Sequence, residues 1–339
     1  MNTFDAYWDE EFMEDDVEDL FVGSLLGGAI GDALGSFCEG WSRERILEVE
    51  DLTGEYRNRM GRDGELKFQA GGYTDDTQQA LVLVESMLAC GKVDPADIAD
   101  RLLKMWRADE LFGYGQAFRE TLERMDRGVS WQEAASVDKI SNGAVMKIAP
   151  LGLWHWQMGE EIRDDAVAVS HLTHKDPRAV APAVAMAHVM GHLVTHRPLD
   201  VDEVIDVAEF SARPIDAATG ELIGQLRDLL KMDEADAYEA MLQIPNEVRK
   251  EGSGIPGEAP VTLLVALEAF LRMPEDFEQV VKRTLLAGGD VDTFAAVAGN
   301  LAGVYNGVGR LPQHLLEGLL ERDRIEGLAR ALYQKTVGE

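Results

Sequence analysis

GGDVDTFAAVAGNLAGVYNG, residues 288–307, decides how the chain is read. A glycine pair precedes two aspartates, Asp290 and Asp292, and the hydroxyl of Thr293. Behind them Ala295, Ala298, Gly299, Ala302 and Gly303 recur at the three- and four-residue spacings that share one face of a helix. Side chains this small let another backbone approach closely, because helix separation is set by the residues at the contact. The stretch predicts a closely packed helix with two carboxylates and an alcohol at its start.

Residues 71–80, GGYTDDTQQA, repeat the arrangement: a glycine pair, then Thr74, Asp75, Asp76 and Thr77, then an amphipathic run in which Ala80, Leu81, Val84, Met87 and Leu88 fall on one face and Gly91 follows as a stop. One aspartate at such a start caps the helix and answers its dipole. Taken singly, each cluster is explained by a cap and a turn. Taken together, two starts that face each other would converge four carboxylates, which cannot all stay ionised unless cations lie between them. Aspartate and threonine oxygens with no cysteine nearby suit magnesium, manganese or calcium better than zinc or copper.

A third segment, VGSLLGGAIGDALGSFCEGWS at 22–42, has a helical pattern but carries Gly23, Gly27, Gly28, Gly31 and Gly35. Each interior glycine costs about 1 kcal/mol relative to alanine, so tight packing must offset them. Its polar exceptions are Asp32, expected to bind backbone at a neighbouring turn, and Glu39, placed past the helix where it can reach a cleft.

Elsewhere the texture is helical as well. DPRAVAPAVAMAHVMGHLV offers Asp176 as an N-cap, Pro177 at the first helical position and a possible kink at Pro182. ADIADRLLKMWRA, DEVIDVAEFSA, AYEAMLQI, APVTLLVALEAFLRM and FEQVVKRTLLAGG follow the same period, whereas alternating β-type runs are scarce. The expected fold class is all-α. No linker or solenoid repeat divides residues 21–339, so one compact helical domain is expected there. Residues 1–20 differ, with nine acidic residues, no basic one and an apolar stripe of Phe4, Tyr7, Trp8, Phe12, Met13 and Val17. They read as an arm or as a first helix packed on the core.

Composition bounds the partners. The 339 residues carry 32 basic and 62 acidic side chains, a formal charge of −30, which opposes non-specific attraction to nucleic-acid phosphates. Two lone cysteines, Cys38 and Cys90, fit a reducing compartment and supply neither a disulfide framework nor a zinc site. The acidic N-terminus lacks the character of a secretory signal, and no apolar run of spanning length follows. A cytoplasmic protein with no membrane or nucleic-acid partner is expected.

The motifs, in order, resemble the ADP-ribosylglycohydrolase family, which includes the dinitrogenase reductase-activating glycohydrolases and enzymes that remove ADP-ribose from modified arginine or serine. GDALGSFCEG is similar to the family's N-terminal Gly-Asp segment with its following Glu, YTDDTQ to its Thr-Asp-Asp-Thr motif, and GGDVDT to its Gly-Gly-Asp-x-Asp-Thr motif. FGYGQAF, SNGAVMKIAPLGL, HLTHKDPRA and GSGIPGEAPVTLLVALEAF resemble the segments between, so the likeness runs from about residue 21 to 309. The resemblance implies an all-α fold around a central cleft holding two divalent cations, Mg2+ or Mn2+. By position it implies Thr74, Asp75, Asp76, Asp290, Asp292 and Thr293 as metal ligands, and Glu39 beside metals and substrate. Gly113, Tyr114, Gly115, Ser141, Asn142, Gly143 and His174 fall in segments that line the ADP-ribose site. Glu39 or Asp75 would handle the proton during hydrolysis of ADP-ribosylated protein. Val291 stands where Thr is commoner and Ser141 where Gly is frequent.

Two other stretches carry readings of a different kind. His188, His192 and His196 lie four apart on one helical face, but Val189 occupies the Glu position of HExxH and no third ligand is evident, which favours a solvated helix face. From a different class, an immunity protein would use the acidic aromatic arm to dock a basic partner such as an ADP-ribosyltransferase toxin.

Overall fold

The computed structural model describes residues 14–61, 64–157, 159, 161–245 and 254–338. The chain begins with α1 (Glu14–Gly35), in which every residue from Leu20 to Gly35 is buried. A helix apolar on all sides belongs at the centre of a core. Of the expected arm, residues 14–20 form the first turns of α1, which continues past residue 20 without a break, with Val17 and Leu20 buried. The aromatic positions from Phe4 to Met13 lie outside the described residues.

After α1 come α2 (Arg43–Leu47) and a short antiparallel ribbon of β1 (Arg59–Met60) and β2 (Leu66–Phe68), with Arg59 opposite Phe68 and Met60 opposite Leu66. Then α3 (Asp75–Cys90) and α4 (Pro95–Arg107) follow, α3 ending on Gly91 at φ +66° as the sequence predicts. Next are α5 (Gln116–Asp126), α6 (Trp131–Ala134), α7 (Ala149–Trp154) and α8 (Ile162–Ser170). Helix α9 (Pro177–Thr195) starts at the predicted Asp176 cap and runs on through Pro182. The remainder is α10 (Val201–Ala212), α11 (Ala217–Gly224), α12 (Leu226–Leu229), α13 (Glu234–Leu242), α14 (Ala259–Arg272), α15 (Phe277–Leu285), α16 (Val291–Asn306), α17 (Gln313–Gly318) and α18 (Arg322–Val337). Aspartates 94, 176, 200, 216, 233 and 276 each accept a backbone N–H at a helix start, which satisfies donors that the helix itself leaves unpaired. No described helix is long and apolar enough to cross a membrane.

Helices α1 and α16 form the central pair and run antiparallel. A methyl group on Gly23 would lie 2.4 Å from the Gly303 carbonyl oxygen, one on Gly27 2.4 Å from that of Gly299, and one on Gly31 2.0 Å from that of Ala295. At the far end a methyl on Gly35 would meet the Asp292 Cα at 2.3 Å. The glycines predicted to require tight packing therefore face the small residues of 288–307, and the seam carries the C-terminal end of α1 to the start of α16. Helix α18 closes over the other side, with Phe21 and Tyr333 edge to face at 5.4 Å and Arg330 paired with Glu18.

This packing generates a contrast between two alanines. Gly31→Ala must push two backbones apart and is expected to cost about 2–3 kcal/mol or more. Gly327→Ala, on α18 with no atom near its Cβ position, should instead stabilise by about 0.5–1 kcal/mol through helix propensity. Urea unfolding midpoints of the two variants check the difference, and equal shifts would contradict the seam.

Candidate functional site

A cleft of about 1650 Å³ opens where the end of α1, the start of α3 and the start of α16 meet. Asp75 and Asp76 are the first residues of α3, and Asp290 precedes α16 while Asp292 and Thr293 lie in its first turn. All five line the cleft, together with Glu39, Gly113, Gly115, Ser141, Asn142, Gly143 and His174.

Capping accounts for the oxygen of Thr74, which is absent from this lining, and not for the carboxylates that form it. The Thr74 side chain accepts from the Asp76 amide at 3.4 Å and caps α3. Asp290 occupies the cap position of α16 but makes no capping bond there. Its Oδ2 instead accepts from Asn142 Nδ2 at 2.7 Å. The turn before it needs glycine: Gly288 and Gly289 have φ of +67° and +85°, a region other residues enter only at a cost. Backbone bonds from Gly40 to the Gly289 carbonyl, 2.7 Å, and from Gly289 to the Trp41 carbonyl, 2.8 Å, lace this turn to the Glu39 loop.

Asp32 reaches further than its expected local role. Fully buried, it accepts from the Thr74 and Thr77 amides at 3.0 and 3.1 Å and from the Thr77 hydroxyl at 2.6 Å. It does bind backbone at a turn, but one 42 residues away, and so ties the last turn of α1 to the start of α3. Asn142, expected in the ligand wall, does line the cleft, yet its amide is spent on Asp290 and on Thr262 at 3.1 Å. Tyr114 stacks edge to face with Trp106 at 5.4 Å and is absent from the lining.

The carboxylates crowd one another. Oxygens of Glu39, Asp290 and Asp292 lie within 4.8 Å of each other. Burial first, then the charge of Asp32, raises the Asp75 carboxyl to about 8, and the same two causes carry Asp76 well above the ordinary carboxylate range. Burial and then Glu39 do the same for Asp292. Glu39 is raised by burial and Asp290 against the opposing pull of Arg59, its ion-pair partner. Asp76 Oδ2 is buried without a hydrogen-bond partner. A buried carboxylate oxygen left unpartnered is costly, and together with an all-oxygen donor set it fits a hard divalent cation.

Several contributors escaped the sequence reading. Arg59 on β1 holds Glu39, and Arg57, also lining the cleft, has a buried Nη1 with no hydrogen-bond partner. Gly257 approaches Asp290 so closely that a methyl there would lie 2.0 Å from Oδ2. Lys147, 1% exposed, donates to Gln79 Oε1 at 2.9 Å and Thr173 Oγ1 at 3.0 Å beneath the cleft. Away from it, Glu203 supplies the third group that the histidine run lacked, its carboxylate 4.0 Å from His192 Nε2 beside the stacked His196 ring. No short-range pattern signals any of these.

The raised carboxyls set a pH dependence. In the unfolded chain they ionise near pH 4, so the folded protein alone retains protons that the unfolded chain releases between about pH 4 and pH 8. Their contribution to stability is complete below the unfolded value and is lost as pH rises through the folded one. In chelator, the melting temperature should therefore fall from pH 5 to pH 8. Mg2+ or Mn2+ should restore it, by about 3 kcal/mol at a hundredfold excess over the dissociation constant, and more at pH 8 than at pH 5. Thermal melts across that range check both signs.

Comparison with known proteins places this geometry. The family profile described as ADP-ribosylglycohydrolase matches residues 13–339. An uncharacterised protein of Archaeoglobus fulgidus is 31% identical over 94% of this chain and 97% of its own length. The ADP-ribosylarginine hydrolase Tri1 of Serratia proteamaculans is 26% identical over 93% of this chain and 79% of its own. A solved structure titled ADP-ribosylglycohydrolase-related protein complex superposes with a TM-score of 0.70 and 30% identity, covering 95% of this chain and 99% of that one.

Proposed function

The chain belongs to the ADP-ribosylglycohydrolase family, and from that premise we propose that it is a metal-dependent hydrolase that removes ADP-ribose from arginine- or serine-linked protein side chains by cleaving the C1″ glycosidic bond. The observation that carries the reading is the meeting of two aspartate-rich helix starts in one cleft, with an unpartnered Asp76 oxygen between them.

Thr74, Asp75, Asp76, Asp290, Asp292 and Thr293 would hold two divalent cations, Mg2+ or Mn2+. When bound, such ions orient ribose hydroxyls and lower the pKa of a water. The residues must do the rest. Glycosidic cleavage passes through an oxocarbenium-like sugar, which needs the ring held still, water delivered to the anomeric carbon and a proton moved. Asp75 suits the proton step: Gln79 Nε2 fills its Oδ2 at 2.6 Å, leaving Oδ1 for the cleft. Glu39, tethered by Arg59 at the rim, grips the substrate or shares the proton transfer. Asp76, Asp290 and Asp292 chiefly bind metal, with Asn142 fixing the orientation of Asp290. The loop at Ser141 to Gly143 and His174 supports the diphosphate, and Gly113 and Gly115 flank it.

An ADP-ribose release assay on arginine-linked and serine-linked substrates, with Mg2+, Mn2+ or chelator, tests the proposal. Cation-dependent release from at least one substrate is expected. Asp75→Asn should lower kcat by about 10²–10⁴-fold, and Asp290→Asn should abolish the response to cation. Release from neither substrate, or full activity in chelator, would refute the reading.

A further inference from the structure

We propose that buried Lys147 is a positioning residue that, through Thr173 and His174, fixes the Ser141 hydroxyl as a hydrogen-bond donor toward the cleft, so that this wall selects a ligand oxygen with free lone pairs, such as a phosphate oxygen. The ligand half of this proposal rests on the ADP-ribosyl reading above. The relay itself rests on geometry.

Lys147 Nζ lies 2.9 Å from Gln79 Oε1 and 3.0 Å from Thr173 Oγ1. The ammonium form of Lys147 has only hydrogens to offer these two oxygens, so both contacts run from Nζ to oxygen. Gln79 Oε1 has no hydrogen to give, so its contact keeps that direction in the neutral amine too, whereas the Thr173 contact takes it from the ammonium. Thr173 Oγ1, 2.9 Å from His174 Nδ1, accepts from the amine and has its own hydrogen left to give. Donation to Nδ1 places that hydrogen. The opposite sense would leave a hydroxyl hydrogen of a 2% exposed residue without an acceptor among the described contacts, at the cost of a buried unsatisfied donor.

With Nδ1 accepting, His174 carries its proton on Nε2 and donates it to Ser141 Oγ at 2.8 Å. The imidazole is neutral, burial holding it down to about 3, so its two nitrogens keep opposite roles. Ser141 then accepts on the protein side and keeps its own hydrogen for the cleft it lines. Close approach is built in: a methyl on Gly143 would sit 2.8 Å from His174 Cε1. Backbone bonds from Ser136 to the Thr173 carbonyl, 3.3 Å, and from Lys175 to the Ser136 carbonyl, 2.8 Å, fix the segment that carries the histidine.

The same amine orients the opposite wall. Because Gln79 Oε1 accepts from Lys147, its Nε2 must face Asp75, where it donates to Oδ2 at 2.6 Å. One buried side chain thus sets the hydrogen-bonding sense of both a carboxylate at the helix start and a hydroxyl in the ligand wall.

Two readouts test this. Imidazole ¹⁵N shifts of the ligand-free protein should show His174 as the Nε2–H tautomer in wild type and lose that preference in Lys147→Met and in Thr173→Val, the second variant serving where the first fails to fold. Binding of ADP-ribose with Mg2+, measured by calorimetry, should weaken about tenfold in Ser141→Ala and in Thr173→Val, as for one lost hydrogen bond to a charged group. The double variant should be no weaker than either single one, since both remove the same donor. Additive losses of about a hundredfold, or an Nδ1–H tautomer in wild type, would overturn the relay. If wild type keeps the Nε2–H tautomer but binds no ADP-ribose, the proposed function and the ligand half fall, while the relay stands.

Discussion

The closeness of α1 and α16 is the constraint on which the rest depends. Wherever the two backbones touch, at least one partner has no side chain: Gly23 lies against Gly303, Gly27 against Gly299, Gly31 against Ala295 and Gly35 against Asp292. The register is functional as well as steric. Because the helices are antiparallel, the end of α1 that leads to Glu39 abuts the start of α16 that carries Asp290 and Asp292. Substituting larger residues would fill space and also lengthen the gap that the carboxylates must share. The helix propensity lost at five glycines, about 1 kcal/mol each, is the cost of placing a polar site at the end of a buried seam.

Electrostatics then explains why so many acids sit where none should be comfortable. A protein of formal charge −30 brings four buried carboxylates, Asp32, Asp75, Asp76 and Asp292, together in one place, and backbone hydrogen bonds compensate only some of them. Asp32 accepts from two amides and a hydroxyl, which holds it near 6 despite complete burial. Asp76 has no such support for one oxygen, and burial followed by the neighbouring carboxylates pushes it well above the ordinary carboxylate range. The difference separates two tasks: Asp32 is satisfied by the protein and pins α3 to α1, whereas one Asp76 oxygen finds no hydrogen-bond partner in the protein.

The sequence made the helices legible because helix signals are local. The cap at Asp176, the stop at Gly91 and the glycine face of α1 all follow from residues within a few positions of one another, whereas the cap expected of an aspartate in α3 falls to Thr74. The aspartate clusters were legible for the same reason, each being a short run at a helix start. What could not be read was direction and partner. Asn142 has the composition of a ligand-binding turn but spends its amide on Asp290, 148 residues away. Tyr114, in a segment that lines the cleft, turns to Trp106 because an aromatic neighbour is there to pack against. Lys147 falls in an apolar stretch just before α7, where the pattern gives no hint that Gln79 and Thr173 will supply its oxygens. The run of His188, His192 and His196 lacked a third partner in sequence only because Glu203 belongs to the next helix.

The cleft is also polarised in a way that composition hides. Its floor is acidic and buried, Asp75, Asp76 and Asp292 each being about 95% covered. Its lining also includes Arg45, Arg57, Arg59, Lys67 and Lys139, all half-buried or exposed. A net count of −30 averages over this separation of charge. Cations on the floor would cancel whatever negative charge its carboxyls carry and leave the basic lining intact. Under the proposed function the ribose hydroxyls would meet the carboxylate floor through cations, and the diphosphate would meet the basic lining and the Ser141 donor.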